Sequence, residues 1–169
     1  MGATTRQEHC YLTRTPVQKV AIASGIFLVS LGLLGTVMPA FFGMHLNFAH
    51  NLVHLVIGAL GIWAGTSDSL RSKVYCLSFG TLFAFLGIAG FVIGQPGLPA
   101  VGNSTSEQSL IRIVPNILEF GTMDHGIHLL LSLVLYFGVY VWRKHKNDAD
   151  AANVDVQGRR ERIIERKHQ

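Results

Sequence analysis

Two histidines, His50 and His54, stand four residues apart inside the apolar stretch Phe48–Gly65. On a helix that spacing stacks their rings on one face. A second set, Asp124, His125 and His128, occurs late in the chain, with Asp124 and His128 again four apart. Three kinds of chemistry fit these residue types. As two facing pairs, His50, His54, Asp124 and His128 would suit zinc or another transition metal, with His45 or His125 able to replace one ligand. His54 and His128 alone, at matched depth on different helices, would suit the axial positions of a haem b, with the glycines making room for the macrocycle. With no cofactor, each neutral imidazole offers one donor and one acceptor, enough to link two helices and fix their register. Asp124, at a helix start, also reads simply as a capping carboxylate eased by the helix dipole. No glutamate accompanies the paired histidines as in a zinc protease. No activated nucleophile or complete acid–base pair can be assembled from these motifs, so a non-enzymatic role is expected.

The elements that must carry these rings are set by composition. Among 169 residues, 49% are hydrophobic and only 14% charged. The charges are also unevenly spread. No Asp, Glu, Lys or Arg occurs between Lys19 and Asp68, or between Lys73 and Glu107. A bilayer core needs about 20 apolar residues per helix, and the chain divides into four such spans, about 20–39, 48–65, 74–94 and 123–142. Residues 1–19 form a polar segment that resembles the basic start of a secretory signal. The apolar run behind it is longer than a signal core and has no clear cleavage site, so it is expected to stay attached. Pro39 ends the first span, and Thr66–Lys73 reads as a polar loop. The long connection from Pro99 to Gly121 holds a possible short interfacial helix within Ser106–Asn116. Residues 143–169 form a charged tail with a possible short helix near Arg159–Arg166.

Basic residues fall in the N-terminal segment, the Thr66–Lys73 loop and the tail, and only Arg112 lies in a connection on the other side. This asymmetry predicts both termini in the cytoplasm of a bacterial inner-membrane protein. It gathers Trp63, Tyr75, Tyr140 and Trp142 at the cytoplasmic boundary and puts the histidine motifs at the periplasmic ends of their helices. His54 and His128 would then lie roughly 10 Å inside those ends. The two cysteines, Cys10 and Cys76, suggest no disulfide scaffold. Four helices are few for a pore, and only Asp124 is a candidate intramembrane acid. The bilayer is the evident partner, a homo-oligomer or a membrane-protein partner fits the glycine faces, and no aromatic platform accompanies the basic tail to suggest nucleic acid.

The first and third spans align without gaps: Gly25, Leu31, Gly32, Gly35 and Val37 recur as Gly80, Leu86, Gly87, Gly90 and Val92. The second and fourth align with His54-Leu55 on His128-Leu129, Asn51 on His125 and Gly58 on Ser132. The expected architecture is therefore all-α: an integral membrane four-helix bundle of two similar transmembrane hairpins, a parallel internal repeat about an axis along the membrane normal. On Gly25, Gly32 and Gly35, the Asn51-x-x-His54-Leu55-x-x-Gly58 motif and the His128-Leu129 echo, the chain resembles the bacterial family catalogued as domain of unknown function 4383, over roughly Val20–Trp142. The resemblance implies a small four-helix inner-membrane protein and supplies no activity. The expected role is a scaffold or accessory subunit of a membrane complex, with metal or haem binding at His54 and His128 as the alternative.

Overall fold

The computed structural model describes residues 14–99, 106–114 and 117–167. The expectation for Cys10 lies outside them. Four helices, each long and apolar enough to cross a membrane, make up most of the described chain. Helix α1 runs Pro16–Val37. Thr15 caps it, with the Gln18 side chain accepting from the Thr15 N–H at 3.0 Å and proline filling the first helical position, where a missing N–H costs nothing. It stops before Pro39, as expected. A single 3-10 turn, Phe41–Gly43, follows, with Phe42 at φ 53° and Gly43 at φ 73°. A bulky residue in that left-handed region is uncommon and strained.

Helix α2, Phe48–Ser67, starts at Asn47, whose side chain accepts from the His50 N–H at 2.9 Å. The polar loop expected over Thr66–Lys73 shrinks to Asp68 alone. This carboxylate caps α3, Ser69–Ile93, by accepting from the N–H groups of Leu70 and Arg71, both at 2.9 Å. One well-placed cap replaces a loop.

The connection between the third and fourth helices corrects the all-α expectation. It holds a three-stranded antiparallel sheet, β1 Gln95–Gly97, β2 Glu107–Val114 and β3 Leu118–Phe120, with β2 central. Leu110 faces Gln95 on one side, and Ile111 and Arg112 face Phe120 and Glu119 on the other. The interfacial helix expected within Ser106–Asn116 is therefore a strand. The β-branched Ile111, Ile113 and Val114 favour the extended form, and two short neighbours supply the hydrogen bonds a lone strand would lack.

Helix α4 runs without a break from Thr122 to Lys167. It exceeds the expected fourth span, and the tail is continuous helix rather than a separate short one. α1 packs chiefly on α2 and α3 on α4, while α2 and α3 touch little despite the one-residue link. The core lies between these pairs, around Leu28, Cys76, Phe83 and Leu135. Tyr75, expected at a membrane boundary, is instead buried there, its ring against Gly61. The outward faces are apolar, with Leu33, Phe85, Leu133 and Phe137 all exposed. Helices α1 and α2 come close at Gly25 and Gly58. A Cβ on either would sit 2.6 or 2.7 Å from the other's carbonyl oxygen, so only glycine admits this separation.

Candidate functional site

Three of the histidines singled out by spacing meet at one point. His50 and His54 project from the first two turns of α2, and His128 projects from the second turn of α4. All three are buried, and one ring nitrogen of each lies within 4.8 Å of the others. The rings of His50 and His54 are 4.3 Å apart by centroid, and those of His50 and His128 are 6.0 Å apart. Aromatic side chains close the sides. Phe83 of α3 stacks on His128 at 5.3 Å with an interplanar angle of 7°, and Phe120 meets His50 and His128 edge-on at 4.7 and 5.5 Å.

The hydrogen bonding is incomplete in an informative way. His50 Nδ1–H donates to the His45 carbonyl at 2.8 Å. A carbonyl can only accept, so in the neutral ring Nε2 carries the lone pair. That Nε2 is buried without a partner, as are Nδ1 of His54 and Nδ1 of His128. The hydrogen bonds between hairpins expected for a purely structural pair are not formed by these nitrogens. Three unsatisfied buried polar atoms in one place are a costly arrangement, each about 1–3 kcal/mol.

Asp124 is at the site's edge. Its carboxylate accepts from the Gly121 N–H at 2.7 Å and the His45 N–H at 3.1 Å, within Coulombic reach of His50. It thus anchors the start of α4 and the loop before α2. His45 and His125, considered as substitute ligands, stand apart from the cluster. The His45 ring meets Glu107 at 3.1 Å, and His125 Nε2–H donates to the Ser109 carbonyl at 2.9 Å. Glu107 also accepts from the Thr122 N–H at 3.1 Å.

His45 is consequently a hub. Its N–H holds Asp124, its carbonyl orients His50, and its ring holds the sheet through Glu107. Glu107, Phe83 and Phe120 belong to other elements, and nothing in their local spacing along the sequence points to the histidines. At His50, one ring nitrogen is held by backbone and the other is left free, the usual arrangement of a metal-ligating histidine. A tetrahedral zinc with bonds near 2.05 Å sets its donor atoms about 3.3 Å apart, closer than the 4.8 Å within which one nitrogen of each ring lies. Comparison of the chain with protein-family models, curated proteins and solved structures finds no match.

Proposed function

We propose that the chain is a small multi-pass protein of the bacterial inner membrane with a non-enzymatic, scaffold or accessory role, whose two hairpins are clasped by one transition-metal ion on His50, His54 and His128. The observation that carries the metal is the convergence of three buried imidazoles, each with a ring nitrogen lacking a partner. Two of these rings come from α2 and one from α4, so an ion would bridge the hairpins. Imidazole donors suit zinc or copper. Asp124 serves this site better as a nearby negative charge than as a ligand, because its oxygens already accept backbone N–H groups.

The membrane reading rests on the four apolar helices and on the basic residues. Arg14, Lys19, Arg71, Lys73, Arg143 and Lys144 fall at one end of the helices, and Arg112 lies in the connection at the other. By the positive-inside rule the former end is cytoplasmic and the histidines face the periplasm. The repeat gains support from matched contacts. A Cβ on Gly32 would meet the Asn51 carbonyl and Leu55, and one on Gly87 would meet the His125 carbonyl and Leu129. Gly35 is pressed against the Asn51 side chain, as Gly90 is against His125.

A haem between His54 and His128 is less well supported. The His50 ring stands beside both, Phe83 lies flat on His128, and Gly32 and Gly58 are filled by neighbouring helices. Titration of purified protein with zinc or copper, read by calorimetry and metal analysis, should give one ion per chain, lost in His54→Ala. A saturable site that survives His54→Ala and His128→Ala, or a Soret band in the purified protein, would overturn this reading.

A further inference from the structure

At the end of the bundle away from the histidines, α3 and α4 border a cleft. Two adjoining cavities of about 600 and 440 Å³ flank it, and both are bounded by Leu77, Val139, Arg143 and Asn147. The floor is apolar and the rim is cationic. Lys73 reaches in from α3, and Arg143 and Lys146 from α4. The ammonium groups of Lys73 and Lys146 both lie over the Trp142 indole, 5.2 and 5.9 Å from its centroid. Asp148 and Asp150 line the outer edge. Among the described residues, however, neither they nor any other carboxylate forms an ion pair with Lys73, Arg143, Lys144 or Lys146.

The cleft between α2 and α3 makes the contrast. Its cavity, of about 390 Å³, is also apolar and carries a tryptophan and an arginine, but there Arg71 pairs with Asp68 at 3.2 Å. Even with Asp148 and Asp150 on the edge, the cations Lys73, Arg143, Lys144 and Lys146 outnumber the acids lining the cleft, and like charges gathered from two helices repel one another and favour an anion from outside. Only an anion with an apolar tail satisfies both the rim and the floor, and the bilayer supplies it.

We propose that the α3–α4 cleft is a specific site for one anionic phospholipid, its phosphate held by Lys73, Arg143 and Lys146 and an acyl chain lying along Leu77 and Val139. This goes beyond the metal site and rests only on the membrane part of the reading above. Removing a cation from such a surface weakens anionic-lipid attraction by about fivefold.

Trp63 and Trp142 are the only tryptophans, so Trp63→Phe isolates the reporter in full-length protein reconstituted into nanodiscs. Brominated phosphatidylglycerol should quench Trp142 at a lower mole fraction than brominated phosphatidylcholine. Lys73→Gln and Lys146→Gln should each lower that preference about fivefold, and Lys73→Arg should retain it. Equal quenching by the two lipids, or an undiminished preference in the triple Lys73→Gln, Arg143→Gln, Lys146→Gln variant, would overturn the site. So would full competition by inorganic phosphate, which would indicate a free-anion site. Quenching by neither lipid would remove the membrane reading too, whereas failure of the metal titration alone would leave this cleft untouched.

Discussion

At the scale of single residues, the His45 loop decides how well the three rings can act together. His50 receives its orientation from the His45 carbonyl, and His45 is itself held through its N–H by Asp124. Partners of this kind typically alter metal affinity by about 10–100-fold when changed. Asp124→Asn keeps one acceptor oxygen for the N–H groups of His45 and Gly121 but loses the negative charge. Calorimetry on that variant should show affinity down by about 10–100-fold with stoichiometry unchanged; unchanged affinity would detach Asp124 from the site. Glu107 controls the outer end of the same chain of contacts. Burial pushes its carboxyl up, but the Thr122 N–H and the His45 ring more than offset this and hold it below its ordinary 4.5. A carboxyl lowered in the folded state stabilises fully above its unfolded value, and that contribution fades as pH falls through the lowered one. As pH falls from above the ordinary 4.5 to below it, the melting temperature should therefore fall more steeply for the native protein than for Glu107→Gln. Parallel curves would show that Glu107 carries no linkage.

At the scale of elements, what the sequence discloses follows from which interactions are local. The spans are legible because lipid demands an unbroken apolar run, and the His50/His54 face because helical periodicity fixes it. Convergence of His128 on that face was legible only through the alignment of His54-Leu55 with His128-Leu129. The sheet was hidden. Gln95-Pro96-Gly97 has poor strand propensity, and its edge position, where proline is tolerated, exists only once β2 is present. The Asp68 turn was hidden because a single cap can end one helix and start the next without any run of loop residues. Tyr75 was misplaced because aromatic residues near a helix end suit a membrane boundary as well as a core, and the choice depends on the space left by Gly61. The glycine contacts also give the sharpest test at this scale. A side chain at Gly58 would drive into the Gly25 carbonyl and into Val29, and overpacking of this kind costs about 1–3 kcal/mol. Gly58→Leu should lower the thermal midpoint in detergent and weaken metal binding, since His54 lies one turn away on the same face. Gly126→Ala, where a Cβ meets nothing within 4 Å, should not lower the midpoint, since alanine is the better helix former, and should leave metal binding unchanged.

For the whole molecule, the proposed metal site and the weak contact between α2 and α3 are complementary. Each hairpin is well packed within itself, but the one-residue turn at Asp68 joins two helices that then diverge. What unites the hairpins at the histidine end is the ring cluster, the Asp124–His45 contact and the sheet, and an ion on His50, His54 and His128 would add bonds across that junction. An ion bound by the folded chain and not the unfolded one stabilises by RT ln(1 + [L]/Kd), about 2.7 kcal/mol when free ion reaches a hundred times its dissociation constant. It would also give a partner to the unpaired ring nitrogens of His50, His54 and His128. Thermal unfolding in detergent should thus shift upward with zinc or copper, continue to rise logarithmically past saturation, and return on chelation. His54→Ala should abolish the shift. It should not lower the ion-free midpoint as far as an ordinary core truncation would, because the deletion also removes a buried polar atom that had no partner. A large loss of ion-free stability together with a metal shift that persists would mean that the rings serve packing alone and that the ion binds elsewhere.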